Sequence, residues 1–131
     1  MVEKDYYAKI TKYYIQEALR IKNNISWEAK ITKTNRIPFS CLMDHQEESL
    51  LASERVLGEK IEDSGIRRKP FDGFVLYKAT ALFIAIYFLP RQTEIYEIPI
   101  RSFLEEKYKS GNKSLTKERA SEIGKLIHLN C

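Results

Sequence analysis

The run ATALFIAIYFL at residues 79–89 carries no charged side chain and stops at Pro90. A membrane helix needs about twenty apolar residues, roughly twice this length, so the run reads as a buried strand. Alternate and intervening positions are equally apolar, which suits a central strand covered on both faces. FDGFVLYKA, just before it, is nearly as apolar, and with TALFIAIYFLP it reads as two strands joined in a hairpin. A chain with such strands needs helices above and below them.

Residues 4–22 carry Tyr7, Ile10, Tyr14, Ala18 and Ile21 at spacings of three and four, the period of a helix with one buried face. KNN at 22–24 breaks it as a turn. ISWEAKIT then alternates, with Ile25, Trp27, Ala29 and Ile31 on one face and Ser26, Glu28, Lys30 and Thr32 on the other, which is a strand by period two. After the loop KTNRIPF, residues 43–60 are expected to form a helix with Asp44 as N-cap and Leu50, Leu51, Val56 and Leu57 buried. EDSGIRRKP is a loop with a basic tip, TEIYEIP a shorter strand and IRSFLEEKYKS a helix. SGNKS is a loop, and SLTKERASEIGKLI a helix capped by Ser114 or Thr116 ahead of Glu118. The order α-β-α-β-β-β-α-α describes an α/β domain, a mixed sheet with helices packed on it in two or three layers.

A length of 131 residues makes one domain, 1–131, with room for a real core. The net charge of +4 permits a polyanionic partner without requiring one. Cys41 and Cys131 sit in no CxxC or Cys/His cluster, which argues for a reducing compartment and against structural zinc. The N-terminal MVEKDYYAKITKYY is too polar for a signal peptide. The expectation is a soluble, cytoplasmic protein with no membrane contact.

The chemistry sits on the polar face of ISWEAKIT. Glu28 and Lys30 lie on one side of the strand, about 7 Å apart along it. A solvent-exposed ion pair would satisfy that spacing. So would a hydrolytic site, where a carboxylate ligates Mg²⁺ and an ammonium stabilises charge on a phosphate. Glu17 falls within the apolar stripe of the first helix, where a carboxylate is costly unless it is paired, metal-bound or able to reach solvent.

The stretch WEAKITKTNRIPFSCLMDHQEESL resembles a segment of the RecU-type Holliday junction resolvases, with aromatic-E-A-K, a Thr, a polar loop, a hydrophobic-Pro pair and then H-Q opening a helix. Those proteins belong to the PD-(D/E)xK nuclease superfamily. PFDGFVLY and YEIPIRSFLEEKYKSGNKSLTKERASEIG extend the likeness to about residue 124. The resemblance implies a restriction-endonuclease-like mixed sheet flanked by helices. It further implies a Mg²⁺- or Mn²⁺-dependent endonuclease that hydrolyses phosphodiester bonds of branched or junction DNA in recombination and repair, working as a homodimer. Glu28 then corresponds to the metal-binding Glu, Lys30 to the motif lysine and Gln46 to the helix glutamine near the active site. Glu17 stands at the place of a first-helix glutamate and would be the second metal ligand. Lys33 and Arg36, the tip residues Arg67, Arg68 and Lys69, and Lys113 in the later basic segment are the candidate DNA contacts.

One departure stands out. The superfamily's other metal ligand is an Asp on a strand before the ExK strand, and only ALRIKNN separates Glu17 from that strand here. Either Glu17, eleven residues before Glu28, replaces that Asp, or the ligand is missing; Asp72 is a third option. Loss of the ligand would leave a degenerate nuclease serving as a DNA-binding or protein-interaction module. His45 reads as a polar contact at the helix start and His128 as exposed. KDYYAKITKYY interleaves lysines with aromatics, as single-strand binders do, but its spacing fits core packing better.

Overall fold

The computed structural model describes the backbone of residues 3–55, 59–62, 73–76 and 79–129, and the side chains of 6–55 and 79–129. In chain order the elements are α1 (Glu3–Ile21), β1 (Asn24–Thr32), β2 (Arg36–Pro38), a 3₁₀ turn (Phe39–Cys41), α2 (Asp44–Arg55), β3 (Glu59–Glu62) and β4 (Gly73–Leu76). They continue as β5 (Ala79–Phe88), β6 (Thr93–Pro99), α3 (Ile100–Lys109), β7 (Ser114–Thr116), α4 (Lys117–Ile123) and β8 (Lys125–Ile127).

The fold is α/β, built on a mixed four-stranded sheet in the order β1-β5-β6-β8. β5 is the long apolar run, and it lies between β1, to which it is parallel, and β6, to which it is antiparallel. Leu82 through Tyr87 are all buried, as a strand covered on both faces requires. The expected hairpin of the two apolar strands does not form: β4 pairs antiparallel with β3 in a separate ladder. A strand in the sheet centre has only two hydrogen-bonding edges, and β1 and β6 occupy both edges of β5. A third ladder joins β2 to β7, bringing Arg36 opposite Thr116.

Period two along β5 divides the interior in two. Leu82, Ile84 and Ile86 face α1 and pack with Tyr6, Ile10, Tyr14, Ala29, Ile95 and Ile127. Ala81, Phe83, Ala85 and Tyr87 face the other way, into a core with Leu50 of α2, Phe103 of α3, Ala120 of α4 and Phe39 of the 3₁₀ turn. Phe83 and Phe103 stack with ring centroids 4.0 Å apart at the middle of this core. The sheet is therefore sandwiched between α1 and the remaining helices.

Three details differ from expectation. The buried line of α1 runs through Tyr6, Ile10 and Tyr14, and Tyr7 is 38 % exposed with its ring edge against Trp27. Asp44 is the first residue of α2, so Met43 stands at the cap position, its carbonyl accepting from the N–H groups of Gln46 and Glu47. The helix expected to reach residue 60 is described as far as Arg55, Glu59 and Lys60 belong to β3, and Val56 and Leu57 lie outside the described residues. Thr116, by contrast, caps α4 as expected, accepting from the Arg119 N–H at 3.2 Å. No helix among the described residues is long and apolar enough to cross a membrane.

Candidate functional site

The polar face of β1 meets α2. Glu28 lies opposite Phe83 in the β1–β5 register, so its side chain is on the α2 side of the sheet while Ala29 packs on the α1 side. Residues seven apart lie on one face of a helix, and α2 presents Gln46 and Ser53 to β1. Gln46 Nε2 donates to Glu28 Oε1 at 2.9 Å, and the Ser26 and Ser53 hydroxyls are 2.7 Å apart. Lys30 Nζ sits 3.9 Å from the same Glu28 oxygen, with the lysine side chain 20 % and the glutamate side chain 31 % exposed. These three side chains line a partly sheltered polar corner rather than an open sheet face.

Gln46 holds its place because it also acts on the backbone. Its Oε1 accepts from the Met43 N–H at 2.9 Å, half of a capping box at the start of α2. The amide thus has one possible orientation, with its NH₂ group aimed at Glu28. Glu28 Oε2 accepts no hydrogen bond from a described residue, and the ammonium of Lys30 donates none to one. One carboxylate oxygen and three ammonium protons are left for a ligand.

Glu17 is not part of this corner. It lies on α1, across the sheet, where Arg20 holds it in a two-pronged pair at 2.8 and 3.2 Å. That hydrogen-bonded pair, helped by the charge of Lys125, keeps its carboxyl below the usual range. Lys125 belongs to β8, at the opposite edge of the sheet from β1. The expectation that Glu17 and Glu28 converge on one ion is therefore corrected. The helical period put Glu17 near an apolar stripe, but the stripe's far side reaches solvent and Arg20.

Sequence reasoning missed Glu47. It is the one buried charged side chain among the described residues, at 7 % exposure. Lys107 Nζ donates to its Oε1, and the Tyr108 hydroxyl donates to its Oε2 at 2.9 Å. Burial lowers the ammonium's affinity for its proton, but the bonds to Glu47 outweigh this and hold the Lys107 pKa above its ordinary value. Seven residues on, Glu54 Oε1 lies 3.3 Å from Arg101 Nε. α2 is thus bound to β1 along one side and to α3 along the other. The signal was present in the spacing, because Glu47 shares a helical face with Leu50, Leu51 and Glu54.

The candidate DNA contacts fall in two groups. Lys33, Arg36 and Lys113 are exposed, and Arg36 and Lys113 line one cleft beside the β2–β7 ladder. The Thr34 hydroxyl shapes the turn between β1 and β2, donating to Arg36 O at 3.0 Å. Arg67, Arg68, Lys69 and Asp72 lie outside the described residues. His45 and His128 are both exposed.

Among the described residues no three His, Cys, Asp or Glu side chains come together as a metal cage. The corner offers one carboxylate with a free oxygen. That donor set does not fit a cage preformed by protein. It does fit Mg²⁺ or Mn²⁺ held by one carboxylate, water and substrate phosphates, the usual manner of Mg²⁺. No family model, curated protein or solved structure matches the chain.

Proposed function

We propose that the chain is a resolvase-like DNA endonuclease that hydrolyses phosphodiester bonds at Glu28, Lys30 and Gln46. One observation carries the reading: Gln46 and Lys30 both address the same oxygen of Glu28, leaving the other carboxylate oxygen and the ammonium without a hydrogen bond to a described residue. An ordinary surface ion pair has no need of a glutamine locked by a helix cap. A restriction-endonuclease-like core is supported by the mixed sheet with helices on both faces and by the ExK strand that leads, through α2, to a parallel neighbour.

In this reading the three side chains divide the work. The Gln46 amide fixes the rotamer of Glu28, so that Oε2 points at the reacting phosphate. Lys30 Nζ binds a non-bridging phosphate oxygen and stabilises the charge that grows there in the transition state. Glu28 Oε2 accepts a hydrogen bond from the attacking water. Glu28 would be the residue to hold Mg²⁺ or Mn²⁺, which when bound would supply Lewis acidity and a more acidic water. Lys33, Arg36 and Lys113 contribute sequence-independent attraction for the DNA backbone. Branched DNA as substrate, and a homodimer that cuts two strands symmetrically, rest on the family likeness.

The position of Glu17 favours a second reading, in which the scaffold binds DNA without cutting it. Incubation of the full chain with four-way junction, flap and duplex DNA in Mg²⁺ or Mn²⁺ separates the two. Cleavage by the wild type that disappears in Glu28→Ala supports the nuclease. Salt-sensitive binding with no cleavage in either ion leaves only the binding reading.

A further inference from the structure

We propose that β2 and β7 build a second phosphate site apart from the Glu28 corner, in which Arg36 and Lys113 grip a backbone phosphodiester and Arg119 serves to cancel Glu106. The proposal rests on the DNA reading above and names a subsite for it. Antiparallel pairing of Arg36 with Thr116 and of Pro38 with Ser114 closes a cleft of about 230 Å³ whose walls include Arg36, Lys113, Ser114, Thr116, Glu106 and Arg119. Its frame is held by backbone bonds on both sides, from Phe39 N–H to Lys113 O at 3.0 Å and from Lys117 N–H to Asn35 O at 2.8 Å. Such a cleft needs little ordering when a ligand arrives.

The charges in the cleft are not equivalent. Arg119 donates to Glu106 Oε1 through Nε at 3.0 Å and Nη2 at 2.7 Å, and to Glu122 Oε2 through Nη1 at 2.5 Å. Its fork is occupied by carboxylates, so it is not the anion ligand. Arg36 and Lys113 form no ion pair with a described residue, and the Ser114 and Thr116 hydroxyls stand beside them. Glu106 is the one carboxylate among the described residues of the wall, and Arg119 neutralises it through two bonds to a single oxygen. The cleft therefore keeps its full positive charge only while Arg119 holds Glu106. Loss of Arg119 should harm anion binding more than loss of one distant positive charge, although Arg119 touches no ligand.

The test is fluorescence anisotropy of the full chain on a labelled four-way junction across a salt series. The Arg36→Ala/Lys113→Ala double variant should flatten the log–log salt slope by about two and weaken binding roughly fiftyfold near 0.1 M salt. Arg119→Ala should also weaken binding, and adding Glu106→Gln to it should restore affinity to nearly that of wild type. Glu106→Gln alone, which leaves Arg119 in place, should bind at least as tightly as wild type. An unchanged slope in a natively folded double variant overturns the cleft, and failure of Glu106→Gln to rescue Arg119→Ala overturns the role of Arg119. If the wild type binds no DNA, the DNA reading falls, and an NMR titration with pyrophosphate decides the cleft. Shifts of the Lys113, Ser114 and Thr116 amides that vanish in the double variant uphold it, and no shifts in the wild type overturn it.

Discussion

Gln46 is held at both ends of its amide, with Nε2 donating to Glu28 Oε1 and Oε1 accepting from the Met43 N–H, each at 2.9 Å. One side chain thus joins the start of α2 to the middle of β1. Gln46→Ala removes a cap partner and a hydrogen bond to a charged group together, with an expected loss of about 1–2 kcal/mol in urea unfolding. Gln46→Glu should be worse near neutral pH, because it sets two carboxylates against each other, and should recover in mild acid. Equal stability of Gln46→Ala and wild type would remove the link.

Glu28→Ala and Lys30→Ala should each lower cleavage by roughly a hundredfold or more while leaving junction affinity within about twofold, because both act mainly on the transition state. Glu17→Ala should cleave like wild type, since its carboxylate is paired with Arg20 across the sheet. Single-turnover rates with saturating protein check all three. A Glu17→Ala variant as inactive as Glu28→Ala would contradict the placement of α1.

Gly124 is required by crowding. A Cβ there would lie 2.6 Å from both Glu97 O and Ile98 Cγ1, where β6 passes beneath the end of α4. A backbone carbonyl in a ladder cannot move aside as a flexible side chain can. Gly124→Ala should cost about 1–3 kcal/mol by overpacking, read from thermal or urea unfolding. A neutral effect would mean that α4 and β8 shift freely against the sheet.

Three tyrosines make the fold sensitive to alkali. Burial, aided by the hydrogen bond to Glu94, pushes Tyr96 up to about 12, and burial also raises Tyr14 and Tyr87. A raised pKa means that the native state keeps a proton the unfolded state releases. Stability is therefore full below about pH 10, the ordinary tyrosine value, and falls as pH climbs toward and past the native values. Circular dichroism should show unfolding in step with the late phase of phenolate absorbance that belongs to these three buried rings. Ionisation of all eight tyrosines near pH 10 in a protein that stays folded would refute this.

What the sequence determined by itself was the local pattern. Alternation along ISWEAKIT assigned Glu28 and Lys30 to the face opposite Trp27 and Ala29, because the pleat leaves no other choice. The unbroken apolar run of β5 required cover on both sides, and it has it. Which residues meet across the fold was decided elsewhere. Gln46 reaches Glu28 because α2 crosses the face to which β1 turns its polar side chains, a relation that no short-range period encodes. α1 has a helical stripe whichever face it covers, so its spacing could not tell that Glu17 lies beyond the sheet from Glu28. Neighbouring apolar strands suggest a hairpin, yet β5 pairs with β1 and β6, and β4 with β3. Backbone hydrogen bonds are interchangeable among strands, and only burial of the whole sheet selects among the pairings. Side-chain chemistry was written in the chain, and the company each side chain keeps was settled by packing.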